Sequence, residues 1–139
     1  RVFMQFALSV IAKKDIILHT DGSSYGNYCY TGDAVRAVLL LLLNGNNGEA
    51  YNICNENNTM TIREMANLVA ERVANGEISV VTETISNSTT GYAPKSGLKL
   101  SSQKLKELGW TPEYSLEETY RRMLAELTEE GDLKKNEAI

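Results

Sequence analysis

One stretch of the chain reads NYCYTGDAVRAVLLLLLN over residues 27–44. Its aromatic residues 28–30 are β-prone and predict a short strand, and Thr31 is of a type that caps helix starts. Residues 33–43 are mostly apolar, so they predict a helix that is buried on most of its circumference. Such a helix needs cover on several sides, and we expect one side to be covered by something outside this chain.

Hydrophobic spacing and turn signals predict further elements on both sides of this helix. Apolar residues three and four apart indicate helices, β-branched runs indicate strands, and two Thr/Ser-x-x-Glu capping boxes mark helix starts. The predicted helices cover 2–13, 62–74, 102–108 and 116–127, and the predicted strands cover 16–19, 51–53 and 78–81. Gly45 is expected to end the central helix in a left-handed cap. Helices and short strands interleave without repeats, so the predicted fold class is α/β of the mixed α+β kind.

The chain has 139 residues, the size of one domain at roughly 100 to 200 residues per domain. We place that domain at residues 1–130 and expect residues 131–139 to form a frayed polar tail. A net charge of -4 disfavours a nucleic acid or an anionic membrane as partner. The longest apolar run is far shorter than the roughly 20 residues of a membrane helix. Because neither a signal pattern nor a disulfide framework is present, we expect a cytoplasmic protein.

The sequence offers no metal site and no nucleophile with a partner base. His19 is the only histidine, and Cys29 and Cys54 do not form a Cys-x-x-Cys pair, so a zinc site lacks its ligands. No Gly-x-Ser-x-Gly elbow accompanies His19, and we interpret Cys54 as a small buried hydrophobic residue. Residues 91–97 contain Lys-Ser but lack the glycines of a phosphate-binding loop.

Two further motifs of dinucleotide enzymes are also absent from the sequence. No Gly-x-Gly-x-x-Gly follows a predicted strand, so the chain lacks the loop with which Rossmann domains hold a dinucleotide. None of the seven tyrosines has a lysine four residues later, so no Tyr-x-x-x-Lys acid–base pair exists. We therefore expect neither catalytic nor cofactor-binding residues in this chain.

Several short motifs follow one another along the chain. They are RVFMQF at 1–6, DGS at 21–23, NYCY at 27–30, DAVRA at 33–37, GEAYNI at 48–53, Leu105 with LGWTP at 108–112, and SLEE at 115–118. In order and spacing they resemble the C-terminal half of the extended short-chain dehydrogenase/reductases, the NAD-dependent nucleotide-sugar epimerases and dehydratases. The resemblance extends from the first residue to about Leu127.

The resemblance implies a longer protein in which one half binds the cofactor and the other half binds the substrate. In this family the N-terminal half is a Rossmann domain that holds NAD and the Tyr-Lys pair, while the C-terminal half binds the nucleotide diphosphate-sugar. This chain would then be the small substrate-binding lobe with the Rossmann half absent. Its partners would be a nucleotide diphosphate-sugar and its own Rossmann domain, with a second copy of the chain as an alternative. The full-length protein would exchange a hydride at the sugar C4, and the fragment alone would be inactive.

The resemblance also assigns substrate-binding roles to individual residues. The first three residues match a helix motif beside the nucleotide, and the end of the first strand matches one that lies along the base. The Tyr28 position borders the site, and the Asn52 position lies near the phosphates. Packing of Tyr28 and a purely structural role for the Asn52 amide are open alternatives. The substrate-binding residues are Arg1, Val2, Phe3, Leu18, His19, Tyr28, Asn52 and Lys95.

The chain departs from the family where many relatives carry arginines that clamp the diphosphate. Gly26 stands where one such arginine precedes the aromatic segment, and no arginine occurs between Arg72 and Arg121. Two bidentate phosphate donors are therefore missing, and Lys95, Lys99 or Arg1 are candidates to replace them. This departure keeps a second hypothesis open, in which the chain is a non-catalytic binding or assembly module derived from the same lobe.

Overall fold

A computed structural model describes residues 2–83 and 97–136, with side chains through residue 129. Helices and short strands alternate along the chain, which confirms the predicted mixed α/β class. Within these ranges no helix has both the length and the apolar character to cross a membrane. The helices are α1 (Val2–Ile11), α2 (Thr31–Asn44), α3 (Ile62–Leu68), α4 (Gln103–Lys106) and α5 (Leu116–Asn136), and the strands are β1 (Ile16–Leu18), β2 (Tyr25–Asn27), β3 (Thr59–Thr61) and β4 (Val80–Thr82).

The chain divides into two compact units. The α1 unit contains the described residues up to 23, the segment from 62 to 83 and the chain from 117 onward. The α2 unit contains residues 24–61 and the described part of the segment that ends at 116.

The α1 unit is built on a parallel pair of strands, β1 and β4. Ile17 lies opposite Val81 and Leu18 lies opposite Thr82. Ile16 and Leu18 point into the core while Ile17 between them is exposed, as the two-residue period of a strand requires. α3 continues into one π turn and the helix ends at Asn75 and Gly76, both with positive φ. The buried hydrophobic residues of this unit are Phe6, Ala7, Ile16, Leu18, Met65, Ala66, Val69, Ala70, Val73, Ala74, Ile78 and Tyr120.

The α2 unit combines an antiparallel strand pair with the central helix. β2 pairs with β3 so that Gly26 lies opposite Met60. Ala37 on the inner side of α2 is fully buried. It shares a core with residues of α4 and of the turn that follows, which anchors one side of α2. That core consists of Ala37, Leu105 and Trp110, with Cys29, Leu40, Leu41, Tyr51 and Ile53 packed against it.

Our prediction of a strand at residues 28–30 was wrong. The strand lies three residues earlier, at β2, because these residues face β3 and form the ladder with it. The pairing ends where the Tyr28 N–H donates to the Asn58 carbonyl at 3.4 Å. Tyr30 occupies the N-cap position of α2 without a side-chain cap, so Thr31 is the first helical residue rather than the cap.

The predicted strand at 51–53 and the predicted cap at Gly45 were also wrong. Residues 51–53 have no ladder partner in the described part of the chain, and Tyr51 and Ile53 pack against the core instead. Gly45 is extended, with φ -70°, and its N–H donates to the Leu41 carbonyl at 2.8 Å. A Cβ at Gly45 would stand 2.6 Å from the Leu41 oxygen, so close approach rather than handedness requires glycine there.

The remaining predicted helices and strands begin within a few residues of where the structure has them. The helices α1, α2 and α3 and the strand β1 form where the hydrophobic spacing placed them, and β4 lies two residues later than expected. α5 continues through Asn136, so residues 131–136 are helical rather than frayed. Residues 83–97 are polar and rich in Ser and Thr, and the sequence predicts a long loop there; this segment lies almost entirely outside the described residues. The division at residue 130 stays a prediction.

Candidate functional site

Val2 and Phe3 lie in the first turn of α1, and both are half-buried. The Phe3 ring stacks on the ring of Tyr120, with centroids 5.2 Å apart and 7° between the ring planes. Tyr120 is fully buried in the α1 unit. One face of Phe3 is therefore occupied by the protein and its position is fixed by α5. Arg1, the first residue of the predicted motif, lies outside the described residues.

Leu18 and His19 follow one another at the end of β1. The Leu18 side chain is in the core, so Leu18 can meet a ligand only through its backbone. Its carbonyl accepts a hydrogen bond from the Glu83 N–H at 2.9 Å, which extends the β1–β4 ladder by one residue. His19 is exposed. The structure thus presents His19, and not the side chain of Leu18, at the surface of the α1 unit.

The turn after His19 is stabilised by its own side chains. The Asp21 carboxylate accepts hydrogen bonds from the Ser23 N–H at 3.0 Å and from the Ser23 hydroxyl at 2.8 Å. Gly22 has φ +70°, a conformation that favours glycine. Arg63, at the start of α3, also bonds to this turn. Sequence reasoning missed Arg63, because no motif marks a contact between positions 42 residues apart.

Tyr28 and Asn52 belong to the α2 unit. Tyr28 is half-buried, and this burial raises the pKa of its phenol, so the hydroxyl stays protonated and able to donate at neutral pH. The Asn52 side-chain N–H donates to the Ser101 carbonyl at 3.1 Å. This bond ties the 51–53 segment to the chain before α4. Lys95 lies outside the described residues.

Asp33 is a buried polar residue of the α2 unit that accepts several hydrogen bonds. It is fully buried at the start of α2, and one carboxylate oxygen accepts hydrogen bonds from the N–H groups of Glu113 and Tyr114, each at 3.1 Å. The other oxygen accepts from Arg36 at 3.1 Å, and the Asp33 carbonyl accepts from the Trp110 indole at 3.0 Å. The buried charge is paired and hydrogen-bonded, as a stable interior requires.

A second polar cluster in the same unit surrounds Glu56. Its carboxylate accepts from Lys106 and, at 2.8 Å, from the Ser102 N–H. The Lys106 hydrogen bond, followed by the Ser102 bond, lowers the pKa of Glu56 to about 2. Glu56 is therefore fully ionised at neutral pH, and its charge is paired with that of Lys106.

Most cations of the α2 unit are already neutralised. Arg36 pairs with Asp33 and Glu113, and Lys106 pairs with Glu56. Lys104 pairs with Glu49 and lies 5.2 Å from the centre of the Tyr51 ring. Within the part of this unit that the structure describes, Lys99 is the cation that has no ion pair. These interactions leave few charges for the phosphates of a ligand.

The two thiols are protonated at neutral pH. Burial, reinforced by the negative charge of Asp33, raises the pKa of Cys29 to about 11, and burial also raises the pKa of Cys54. A protonated thiol is a poor nucleophile and a poor metal ligand. Among the described residues, no group of three His, Cys, Asp or Glu side chains could hold a metal ion.

The outer side of α2 is an exposed apolar surface, here called the α2 face. Its residues follow the helical spacing of three and four, so they form one stripe along the helix. Exposure rises toward the C-terminal end, where the Leu42 and Leu43 side chains are 77% and 83% accessible. Exposed apolar surface of this kind is typical of interaction surfaces in other proteins. The α2 face comprises Val35, Val38, Leu39, Leu42 and Leu43.

Comparison with known proteins gives a consistent set of relatives, although no protein-family model matches the chain. UDP-D-apiose/UDP-D-xylose synthase 2 of Arabidopsis thaliana is 30% identical over 127 residues, 84% of this chain and 32% of the relative. dTDP-D-glucose 4,6-dehydratase of Mus musculus is 26% identical over 128 residues, 88% of this chain and 34% of the relative. The chain therefore spans about a third of the length of the curated relatives that it matches.

Solved structures share the fold. UDP-glucose 4-epimerase from Thermotoga maritima, solved with UDP-glucose, matches with a TM-score of 0.76 at 25% identity. The match covers 93% of this chain and 40% of the epimerase chain. An epimerase from Methanothermobacter thermautotrophicus has a TM-score of 0.77 at 22% identity, covering 98% and 39%. The predicted fold class is thus confirmed by comparison as well as by the elements themselves.

Proposed function

This chain resembles the C-terminal part of the extended short-chain dehydrogenase/reductases in sequence and fold, and from that premise we propose that it binds a nucleotide diphosphate-sugar. The base is uracil or thymine in this proposal, because the synthase and the dehydratase are named for UDP- and dTDP-sugars. The single observation that carries the proposal is that both matches cover more than four-fifths of this chain.

We assign the nucleotide to the α1 unit, where Val2, Phe3 and His19 are accessible or half-buried. Phe3 is held by Tyr120, so it offers a ring edge whose orientation costs little entropy on binding. In this proposal the base lies along the backbone of Leu18 and the exposed His19. We also propose that Arg1, Tyr28, Asn52 and Lys95 are substrate-binding residues.

The described residues do not fit NAD. The turn that follows β1 contains a single glycine, Gly22, where a Rossmann strand is followed by a glycine-rich phosphate loop. The N–H groups of Gly22 and Ser23 in this turn already donate to the side chains of Thr20 and Asp21, so they do not form a free cluster of donors for a pyrophosphate. We therefore propose that NAD is bound by a separate Rossmann half, and that this chain contributes only binding and orientation of the sugar nucleotide.

The α2 face supports the existence of such a second half. The matched relatives are about three times as long as this chain, so their remaining length is large enough for a domain. Each leucine of the stripe gains about 1.5–3 kcal/mol when it is fully removed from water. We propose that the Rossmann half covers the α2 face, with self-association of the chain as the alternative outcome.

Titration of the chain, with and without the Rossmann half, tests the binding proposal. Isothermal calorimetry with UDP-glucose and dTDP-glucose should give a micromolar dissociation constant for at least one of them, and CDP- and GDP-sugars should bind more weakly. Absence of binding to all four in the joined protein would contradict the proposal. That result would favour the alternative of a non-catalytic assembly module.

The alternative function has its own supporting observations. Gly26, which stands in place of an arginine, lies in β2 opposite Met60, and it offers no side chain for a phosphate. Three of the four cations in the described α2 unit are neutralised by carboxylates. An assembly module would bind a protein partner through the α2 face and would leave every nucleotide-sugar in solution.

A further inference from the structure

We propose that Arg63 is a positioning residue that fixes the backbone of residues 18–22, along which the nucleotide base lies. The inference rests on the proposed function, which puts the base beside Leu18 and His19. It adds to that function a residue at the start of α3 that would set how well the base is recognised.

Arg63 holds two consecutive carbonyl groups of the turn after β1. Its backbone N–H donates to the Gly22 carbonyl at 3.0 Å, and its Nε–H donates to the Asp21 carbonyl at 2.9 Å. Both peptide planes next to Gly22 are thereby oriented toward the start of α3. The N–H of Gly22 is held from the other side by the Thr20 hydroxyl, at 3.3 Å.

The same guanidinium also reaches the strand that pairs with β1. Arg63 Nη2 donates to the Thr82 hydroxyl at 2.9 Å, and Thr82 is the register partner of Leu18. The next residue, Glu83, bonds to the Leu18 carbonyl. His19 therefore lies between two stretches of backbone that Arg63 ties together, the strand end on one side and the Asp21–Gly22 turn on the other.

The geometry requires arginine at position 63 and glycine at position 22. The planar guanidinium presents Nε–H and Nη2–H as a fixed fork, whereas a lysine ammonium is a single point donor and cannot hold both acceptors in the same way. A Cβ on Gly22 would lie 2.9 Å from the Arg63 Cβ and 3.1 Å from its nitrogen. The turn and the helix start are thus in direct backbone contact, so a displacement of Arg63 moves the turn.

The test uses the protein joined to its Rossmann half and compares Arg63→Gln and Arg63→Lys with the parent. The control is Arg72→Gln, which removes one cation of the same unit whose side chain makes only an exposed ion pair with Glu117. Binding of UDP and dTDP is measured by calorimetry, and inorganic pyrophosphate is measured as a competitor. Steady-state kinetics with UDP-glucose and dTDP-glucose gives KM and kcat separately.

We expect Arg63→Gln to raise the dissociation constant of the preferred nucleoside diphosphate about tenfold, as the loss of about one charged hydrogen bond does. Pyrophosphate competition and kcat should change by less than about twofold, because an orienting contact to the base acts equally in ground and transition states. Arg63→Lys should recover only part of the affinity, and Arg72→Gln should match the parent.

Unchanged nucleotide affinity in folded Arg63→Gln would overturn the inference, and so would equal losses for nucleoside diphosphate and pyrophosphate. If Arg63→Gln does not fold, Thr82→Val removes one acceptor while keeping the shape of the side chain. Thr82→Val should then weaken UDP or dTDP binding without lowering kcat, and unchanged binding would overturn the inference. If the parent protein binds no nucleotide, the proposed function itself is wrong. If the parent binds nucleotide and substitution of Arg63 does not change the affinity, only this inference is wrong.

Discussion

Asp33 and Trp110 are joined by a hydrogen bond of 3.0 Å from the indole Nε1–H to the Asp33 backbone carbonyl. The Asp33 carboxylate at the same time receives the N–H groups of Glu113 and Tyr114. One residue at the start of α2 thus fixes both the tryptophan and the chain that follows it. This arrangement explains why DAVRA and LGWTP occur together in the sequence, since each satisfies the polar groups of the other.

Asp33→Ala should lower the free energy of unfolding by roughly 3 kcal/mol. The substitution leaves two N–H groups and one guanidinium contact without their acceptor in or near the core. Urea unfolding followed by the fluorescence of Trp110, the only tryptophan, measures the change. Glu113→Gln is the control, because it removes only the exposed ion pair to Arg36 and should cost less than about 1 kcal/mol. Equal losses for both variants would contradict the role of Asp33.

Glu56→Gln should destabilise the chain at neutral pH and lose this effect in acid. The folded-state pKa of about 2 lies below the ordinary value of 4.5, so the stabilisation is fully present above pH 4.5. It is lost as the pH falls from 4.5 toward 2, where the carboxylate becomes protonated. Urea midpoints of parent and variant, measured from pH 7 down to pH 2, should therefore converge on acidification. A constant difference across that range would rule out the Lys106 and Ser102 contacts as its source.

Gly22→Ala should be more destabilising than Gly76→Ala. Both glycines have positive φ, at 70° and 76°, so alanine pays a similar backbone cost of about 1 kcal/mol at either position. Only at Gly22 would the new Cβ also collide with Arg63, at 2.9 Å from its Cβ and 3.1 Å from its nitrogen, whereas nothing lies within 4 Å at Gly76. Thermal unfolding of the two variants in parallel checks the order. A Gly76 variant as unstable as the Gly22 variant would show that this contact is relaxed in solution.

The double substitution Leu39→Lys with Leu42→Lys should leave the chain as stable as the parent but abolish its association with the Rossmann half. Both leucines are more than half exposed, so charge there costs the isolated chain little. Pull-down of the separately produced Rossmann half measures association, and Leu98→Lys, at another exposed leucine of the same unit, is the control. Retained association of the double variant would show that the α2 face is not the interface.

Local patterns predicted the helices well, because their signal lies within a few neighbouring residues. The apolar spacing of α1 and the capping box before α3 each mark an element without reference to the rest of the chain. The apolar run of α2 was also visible in the sequence, but the prediction that this helix is buried on most of its circumference was wrong for the described residues. They cover only the side of α2 that carries Asp33 and Ala37, and they leave the α2 face exposed.

Pairing and long-range contacts could not be predicted in the same way. β2 forms at residues 25–27 rather than 28–30 because its ladder partner lies more than thirty residues further along the chain. Arg63 meets Asp21 across 42 residues, and Asp33 meets Tyr114 across 81. Such contacts depend on tertiary packing, which overrides local preference. Among the expected site residues, the burial of the Leu18 side chain and the choice of the Ser101 carbonyl as partner of the Asn52 amide depend on such packing.

The most direct test of the account is turnover of UDP-glucose and dTDP-glucose in the presence of NAD. It is measured by product chromatography for the chain alone and for the chain joined to its Rossmann half. We expect no product above background from the chain alone and clear conversion of at least one sugar nucleotide by the joined protein. Conversion by the isolated chain would contradict the account, because these residues would then supply the chemistry as well as the binding.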